Sequence, residues 1–515
     1  MVCSSIAQTA GEGKTNPWKT DDKPRELCYT ALRYDFGGSA AGEKGRDRQV
    51  NEPKRDVSGE LGTAPVGQLL RKLAVPTVVA QLVNLLYNIV DRIYIGHMPV
   101  VGRVALTGVG LCFPVIYLIS AFTMLIAQGG APRAAISMGK GDNAAAEEIM
   151  GNCFTCLVAA AAVLTAGFWI WGERLLWLFG CSEETILYAL PYMRIYASGS
   201  LFVMMALGMN LFVTTQGFTR FSMRTVLIGA VSNIILDPIF IYLLDMGVQG
   251  AALATVISQA ISGAWVVRFL LGNTTKLRLR RQHLRPKWAV MRPVLALGLA
   301  PFIMQVTEAL LNISFNNSLQ RYGGDIAVGA MTVASTVMQM IWIPIQGLGQ
   351  GAQPIISYNY GAKKPERVRQ AFWTLLKTSM AFMLAFWALV QLFPQFFIRI
   401  FNDEPALLDT AVWTLRLYTA ALGLFGIQMS VQQTFMAIGK AKASLFIACL
   451  RKVILLIPLI FLLPNFFEDK VFAVFLAEPV SDLISVTVSA VTFYFVFRPA
   501  MAALEGDGKG NLTNL

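Results

Sequence analysis

The chain has 515 residues, of which 55% are hydrophobic and only 14% are charged, and its formal net charge is +12. About a quarter of the residues of a soluble protein are charged, so this composition excludes a soluble protein and indicates one that crosses a membrane many times. In such a protein basic residues mark cytoplasmic loops, and we therefore expect no nucleic-acid partner despite the positive charge.

The N-terminal segment is polar and rich in Gly, Lys, Asp and Glu. Such a composition cannot bury a core, and it predicts a disordered cytoplasmic extension over residues 1–60. The sequence GEGKT, from Gly11 to Thr15, resembles the end of a phosphate-binding loop, but Gln8 stands where the first glycine belongs. We expect no nucleotide site and no cofactor.

Windows of about 20 apolar residues predict about twelve transmembrane helices. The predicted helices cover residues 69–97, 104–128, 149–171, 188–214, 224–244, 250–272, 293–320, 326–356, 371–398, 409–437, 443–464 and 471–497. The chain is therefore predicted to be an all-α polytopic membrane protein.

Basic residues are distributed unequally between the connections. The even-numbered connections hold most of them, including the segment KLRLRRQHLRPK (276–287) and, in the tenth connection, Lys440, Lys442, Arg451 and Lys452. The odd-numbered connections hold only Arg103, Arg174, Arg321, Arg399 and Lys470. By the positive-inside rule, both termini are predicted to be cytoplasmic.

The second half of the chain repeats features of the first. Pro76 is matched by Pro301, and the polar series Gln81, Asn84, Asn88 is matched at the same spacing by Gln305, Glu308, Asn312. The repeat predicts two pseudo-twofold-related six-helix bundles that rock about a shared cleft. We assign residues 61–275 and 293–499 to the bundles, 276–292 to a basic cytoplasmic linker and 500–515 to a cytoplasmic tail.

The first predicted helix carries a polar face. Gln81, Asn84, Asn88 and Asp91 fall within an arc of roughly 80° at 3.6 residues per turn. A carboxylate at membrane depth is costly unless it faces a cavity or a partner, so Asp91 is a candidate functional residue. We expect this helix to line an aqueous path.

A second intramembrane acid lies at a similar predicted depth. Asp237 follows Asn233 by one helical turn, and Thr255 and Tyr192 are predicted in the same outer half of the membrane. Carboxylate, amide, hydroxyl and phenol oxygens together suit Na⁺ or a proton. The alternatives are that Asp237 only caps a break before Pro238 and that Asp91 only ends its helix.

In the second half, Glu308 is predicted to be the only acid well inside a helix. It would bind a cationic substrate or a second ion, or else make a structural hydrogen bond across the bundle. The residues expected to line the substrate cavity are Gln81, Asn84, Asn88, Gln305, Glu308 and Asn312.

At YNIVDRIYIGHM, GKGD, SNIILDPIFI, GAALATVISQ and YNYGAKKPERVR the sequence resembles the multidrug and toxic compound extrusion (MATE) family, closest to its MepA-like bacterial branch. The resemblance runs over residues 60–499. It implies a monomeric antiporter in the bacterial inner (plasma) membrane, in contact with lipid, that exports small amphipathic organic cations in exchange for Na⁺ or H⁺. It places the ion-coupling site, with possible Na⁺ ligands, at Asp91, Asn233 and Asp237, beside Thr255 and Tyr192.

Other classes of protein fit the sequence less well. A lipid-linked oligosaccharide flippase of the same superfamily is the alternative, but its anionic pyrophosphate substrate requires Lys or Arg along the cleft, and the predicted intramembrane charges are chiefly acidic. GKGD (139–142) resembles a motif of intramembrane aspartyl proteases but lies outside the predicted helices, so we expect no enzyme. An ion channel is disfavoured because no segment resembles a selectivity filter.

Overall fold

The computed structural model describes residues 57–98, 102–399 and 405–510. The GEGKT segment and nearly all of the predicted extension at 1–60 lie outside these residues, as does the end of the predicted tail at 500–515. Within the described residues the chain is helical and contains no strand, as the sequence predicts.

Six membrane-spanning helices form the first bundle, and they are α1 (Val66–Gly96), α2 (Val104–Gly139), α3 (Asn143–Leu178), α4 (Glu183–Ser198 and Ser200–Thr215), α5 (Thr219–Leu243) and α6 (Gly247–Leu271). The two halves of α4 meet at 56°. The bend lies at Gly199, where an added Cβ would collide with Val256 of α6. A small residue here lets the two helices approach closely, as is typical of helix packing in membranes.

The second bundle contains α7 (Trp288–Gly324), α8 (Ile326–Gly361), α9 (Pro365–Leu392), α10 (Leu408–Ala437), α11 (Ala441–Asn465) and α12 (Lys470–Glu505). α7 begins inside the segment assigned to the linker at 276–292, and the helix that contains α12 continues to Gly510, inside the segment assigned to the tail. The prediction of an all-α membrane protein with about twelve spans is confirmed.

Each half of the chain has an apolar core that also takes a segment from the other half. The first core, around Leu157 and Phe212, includes Val294 from the start of α7. The second core, around Phe435 and Phe475, includes Leu69 and Leu73 from the start of α1. The starts of α1 and α7 both lie at the end of the bundles where α6 leads into α7, which we name the linker end. The two halves therefore exchange segments at the linker end.

The connection between α6 and α7 is fixed to the first bundle by buried polar side chains. Gln216 Oε1 accepts hydrogen bonds from Thr275 Oγ1 at 2.7 Å, Lys276 N at 3.1 Å and Leu277 N at 2.8 Å. Asn152 donates from Nδ2 to the carbonyl oxygen of His283 at 3.1 Å. The linker is thus an ordered part of the surface of the first bundle.

Glycines allow the two bundles to touch backbone to backbone in the halves nearest the linker end. A Cβ on Gly129 of α2 would collide with the carbonyl oxygen of Val294 of α7. A Cβ on Gly139 of α2 would collide with the carbonyl oxygen of Tyr358 of α8. A Cβ on Gly361 of α8 would collide with the carbonyl oxygen of Ile136 of α2. We name these contacts the glycine crossings. They hold the linker ends of the bundles against each other.

Candidate functional site

The predicted ion site forms around two residues of α5. The buried side chains of Asn233 and Asp237 lie one helical turn apart, and Asn233 Nδ2 donates to Asp237 Oδ1 at 3.1 Å. The same amide nitrogen lies 3.3 Å from Thr255 Oγ1 of α6. A short polar network therefore joins α5 to α6 within the membrane.

Asp91 and Tyr192 bring α1 and α4 to this network. The carboxylates of Asp91 and Asp237 are close enough for their charges to interact. The side chain of Tyr192 is buried near both acids, and its ring stacks on Tyr196 at a centroid distance of 6.2 Å. The five residues predicted from sequence as the ion-coupling site lie in one cluster, which we name the α5 cluster. Their role in ion coupling stays a prediction.

Several oxygens of the α5 cluster lack hydrogen-bond partners. Asp91 Oδ1, Asn233 Oδ1 and Asp237 Oδ2 are each buried without a donor. Unpaired oxygens in hydrocarbon are costly, and a hard cation or a proton would satisfy them. Among the described residues, no group of three or more His, Cys, Asp or Glu side chains could hold a metal ion. A Na⁺ ion here would need neutral oxygens, such as that of Asn233, besides the two carboxylates.

The polar series on α1 is divided between different surroundings. Gln81 Nε2 donates to Gln350 Oε1 of α8 at 3.1 Å, so it connects the bundles. Asn84 lines a cavity of about 30 Å³ next to the α5 cluster, which is room for a water molecule. Asn88 is exposed and donates to the carbonyl oxygen of Asn84 at 2.6 Å.

The matching series on α7 faces the second bundle. Glu308 and Asn312 line a cavity of about 120 Å³ that also contacts Trp342 and Tyr117 of α2. Glu308 forms an ion pair with Lys452 of α11. Gln305, one turn earlier on α7, is half-buried. We name this space the second-bundle cavity, and the participation of Tyr117 places it at the boundary between the bundles.

The MatE family model matches residues 76–239 and 301–462, once in each bundle. The chain belongs to the MATE family. The multidrug export protein MepA of Staphylococcus haemolyticus is 24% identical over 420 residues, which cover 81% of this chain and 91% of MepA. A protein of Shewanella oneidensis named as an FAD transporter is 24% identical over 444 residues, which cover 84% of this chain and 94% of that protein.

The fold agrees with that assignment. A solved structure described as the outward-facing conformation of a multidrug resistance MATE family transporter matches with a TM-score of 0.80 at 21% identity, over 88% of this chain and 99% of the other. The resemblance to MepA-like MATE proteins predicted from the sequence is confirmed. The chain is a membrane transporter and not an enzyme.

Two predictions about charge in this MATE transporter are wrong. Arg451 and Lys452, assigned from sequence to the tenth connection, lie inside α11 and are buried. Glu308 is also not the only acid within a helix of the second bundle, because Glu478 and Asp482 are buried in α12. Charge pairing explains both errors, since a basic side chain is retained at membrane depth where acids surround it.

The geometry of these pairs is well defined. Arg451 donates from Nε to Asp482 Oδ1 at 2.6 Å and from Nη2 to Glu478 Oε1 at 2.7 Å. Arg451 and Lys452 are adjacent within the π-helical turn Leu450–Leu456, and both line the cavity. One sequence signal was available, since Glu478 and Asp482 stand one turn apart within an apolar stretch.

Proposed function

We propose that the protein is a multidrug efflux transporter that exports amphipathic organic cations in exchange for Na⁺ or H⁺. The observation that carries the proposal is the α5 cluster, where two carboxylates and an amide present buried oxygens without hydrogen-bond donors. A transporter needs such a site if an inorganic cation is to bind and leave at membrane depth. The likeness to MepA, which is named as a multidrug export protein, supports the class of substrate.

The mechanism we infer is rocking of the two bundles. The α5 cluster lies in the half of the first bundle away from the glycine crossings. The predicted topology makes the linker end cytoplasmic, so the glycine crossings would close the inner side while the ion site faces outward. Binding of a cation removes the repulsion between Asp91 and Asp237, which lets α1 and α5 pack more closely and favours the return movement.

The test is efflux of a cationic dye from proteoliposomes with an imposed Na⁺ or pH gradient. We expect one of the two gradients to drive transport by the wild-type protein. Asp237→Asn removes a carboxylate but keeps the size of the side chain, and we expect it to reduce gradient-driven efflux at least tenfold. Asp409→Asn, at an exposed acid of α10, is the matched control and should transport normally.

Gradient-driven efflux by Asp237→Asn at the wild-type rate would defeat the assignment of the ion site. A wild-type protein that carries no organic cation under either gradient would defeat the proposed function itself. The flippase alternative is not favoured. The buried basic residues Arg451 and Lys452 are paired with acids, and the two similar proteins described above are named as a multidrug export protein and an FAD transporter.

A further inference from the structure

A groove lies at the outer surface of the helices between α1 and α9, and the buried side chain of Leu348 of α8 also lines it. Its volume is about 410 Å³. On the α1 side it is lined by the buried residues Leu70 and Ala74 and by Val75 and Val79, which are 55% and 37% exposed. We name it the α1–α9 groove. Sites for small ligands occupy about 300–1,000 Å³, so this groove is large enough to hold one.

The α1–α9 groove suits a hydrocarbon chain. Two threonines of α9 line it, and their hydroxyls already have acceptors on the same helix, since Thr374 donates to the carbonyl oxygen of Gln370 at 2.7 Å and Thr378 donates to that of Thr374 at 2.8 Å. A chain in the groove therefore leaves neither hydroxyl without an acceptor. From Leu70 to Val79 the groove extends about 14 Å, which is close to half of the ~30 Å hydrocarbon core. It thus runs through one leaflet of the membrane, the one at the linker end.

Two basic side chains flank the groove. Arg71 of α1 is exposed and lines it, and Lys377 of α9 is exposed on the helical face that carries the two threonines. Within the part of the chain that the structure describes, neither side chain makes a hydrogen bond or an ion pair. Lys72, next to Arg71, pairs instead with Glu60. The groove is therefore bordered by two positive charges that have no anion beside them.

These two cations lie at similar depth in the membrane. Arg367 of α9 donates from Nη2 to the carbonyl oxygen of Ala64 at 2.7 Å, which fixes the level of α9 relative to α1. Both helices run away from the linker end, so Lys377 and Ala74, each ten residues further along its helix, lie at nearly the same level. Side chains tilt toward the N-terminal end of their helix, and a lysine reaches toward water. The ammonium group of Lys377 therefore extends toward the level of Arg71.

Charge restricts what the groove can bind. Two unpaired bases would repel an organic cation, whereas a phosphate diester would make charge-assisted hydrogen bonds with both. The exposed ring of Trp373, about one turn before Lys377, is typical of the boundary between membrane and water, where the phosphates of lipids lie. A ligand with a phosphate at this boundary and a hydrocarbon chain below it matches both the charge and the depth of the groove.

We propose that the α1–α9 groove binds an anionic phospholipid of the leaflet at the linker end, with one acyl chain along Val75 and Val79 and the phosphate between Arg71 and Lys377. The predicted topology makes this the cytoplasmic leaflet, whose surface potential is negative. Because α1 belongs to the first half of the chain and α9 to the second, the lipid joins the two halves at the surface. The proposal does not depend on the export function.

The test is photolabelling of the purified full-length protein in nanodiscs. The nanodiscs consist of phosphatidylcholine with a small fraction of phosphatidylglycerol that carries a diazirine in its acyl chain. After illumination, mass spectrometry of the peptides locates the labelled residues. We expect the label to concentrate at Val75, Val79 and Thr378. Phosphatidylcholine with the same diazirine should label these residues roughly tenfold less, because it carries no net charge.

Paired substitutions separate this site from the general attraction between basic residues and anionic lipids. Arg71→Gln with Lys377→Gln should lower labelling by phosphatidylglycerol about tenfold, whereas Arg71→Lys with Lys377→Arg should retain it. The matched control is Arg224→Gln with Lys442→Gln, since both residues are exposed near the linker end, one in each bundle. Labelling of the groove should not change in this control.

A third variant tests the apolar part of the groove. Val75→Trp fills the groove but keeps both cations, so it should lower the labelling of Thr378 several-fold. Glycerophosphoglycerol, the soluble head group without acyl chains, should not compete with the lipid. The proposal would be overturned by equal labelling with the two lipids in the wild-type protein, or by competition from the soluble head group. Unchanged labelling in Arg71→Gln with Lys377→Gln, or in Val75→Trp, would also overturn it.

Discussion

Arg451 is a charged side chain inside the membrane that makes two ion pairs. Its guanidinium binds Glu478 and Asp482, and all three side chains are buried. Desolvation of three charges is costly, and the close geometry of the pairs offsets that cost only while all partners are present. Removal of the arginine would leave two carboxylates facing each other in hydrocarbon.

We therefore expect Arg451→Leu to lower the free energy of unfolding by about 3–5 kcal/mol. The matched variant is Arg369→Leu, because Arg369 pairs with Glu366 and Glu505 at the surface and its side chain is 36% exposed. An exposed pair contributes about 0–1 kcal/mol. Thermal unfolding of the purified variants in detergent measures both effects, and similar losses in the two would contradict this account.

The residues of the α5 cluster were easier to predict than the ion-pair partners of Arg451. Asn233 and Asp237 are one turn apart on a single helix, and helical geometry alone places them on one face. The partners of Arg451 lie on another helix, so their contact depends on tertiary packing. Counting basic residues by loop also assumes that arginine and lysine avoid the membrane, and that assumption fails where acids neutralise them.

At the scale of secondary-structure elements, the prediction of helices from sequence does not show that the linker is attached to the first bundle. Its basic sequence KLRLRRQHLRPK (276–287) predicts a cytoplasmic connection but gives no sign of its attachment to the first bundle. That attachment depends on Gln216, which is distant in sequence and accepts three hydrogen bonds from the linker. A polar residue near a helix end has many possible partners, so its role could not be predicted.

Loss of these hydrogen bonds should loosen the linker. We expect trypsin to cleave Gln216→Leu several-fold faster than wild type within the linker, because each lost hydrogen bond contributes about 1 kcal/mol to the closed state. Gel analysis of inside-out membrane vesicles measures the rate. Gln282→Leu is the control, since Gln282 is exposed and contacts the neighbouring His283. Equal rates for the three proteins would show that other contacts hold the linker.

At the scale of the whole molecule, the glycine crossings are the places where the backbones of the two bundles approach most closely at the linker end. Two bundles related by a twofold repeat could be predicted from the sequence, because Pro76 and the polar series that follows it recur with the same spacing at Pro301. The crossings were not predicted, since a glycine in a helix gives no indication of the backbone that it meets. The close approach of Gly139 to Tyr358 depends on how the bundles pack together.

A larger side chain at a crossing should keep the linker ends apart. We expect Gly139→Val to lengthen the distance between spin labels at Lys140 and Glu366, both exposed near that crossing, and to slow transport at least tenfold. Double electron–electron resonance in a cysteine-free background measures the distance. Gly67→Val serves as control because nothing lies within 4 Å of a Cβ there. An unchanged distance in Gly139→Val would mean that the crossings do not set the conformation.

Because each half of the chain packs a segment from the other half in its core, folding of the two halves is linked to the order of their synthesis. α1 leaves the ribosome before any helix of the second bundle, yet part of its packing surface belongs to those later helices. Val294, in turn, completes a core whose other members were inserted before it. Neither half can reach its final packing during its own synthesis, so maturation in the membrane must wait until the second set of helices has been inserted.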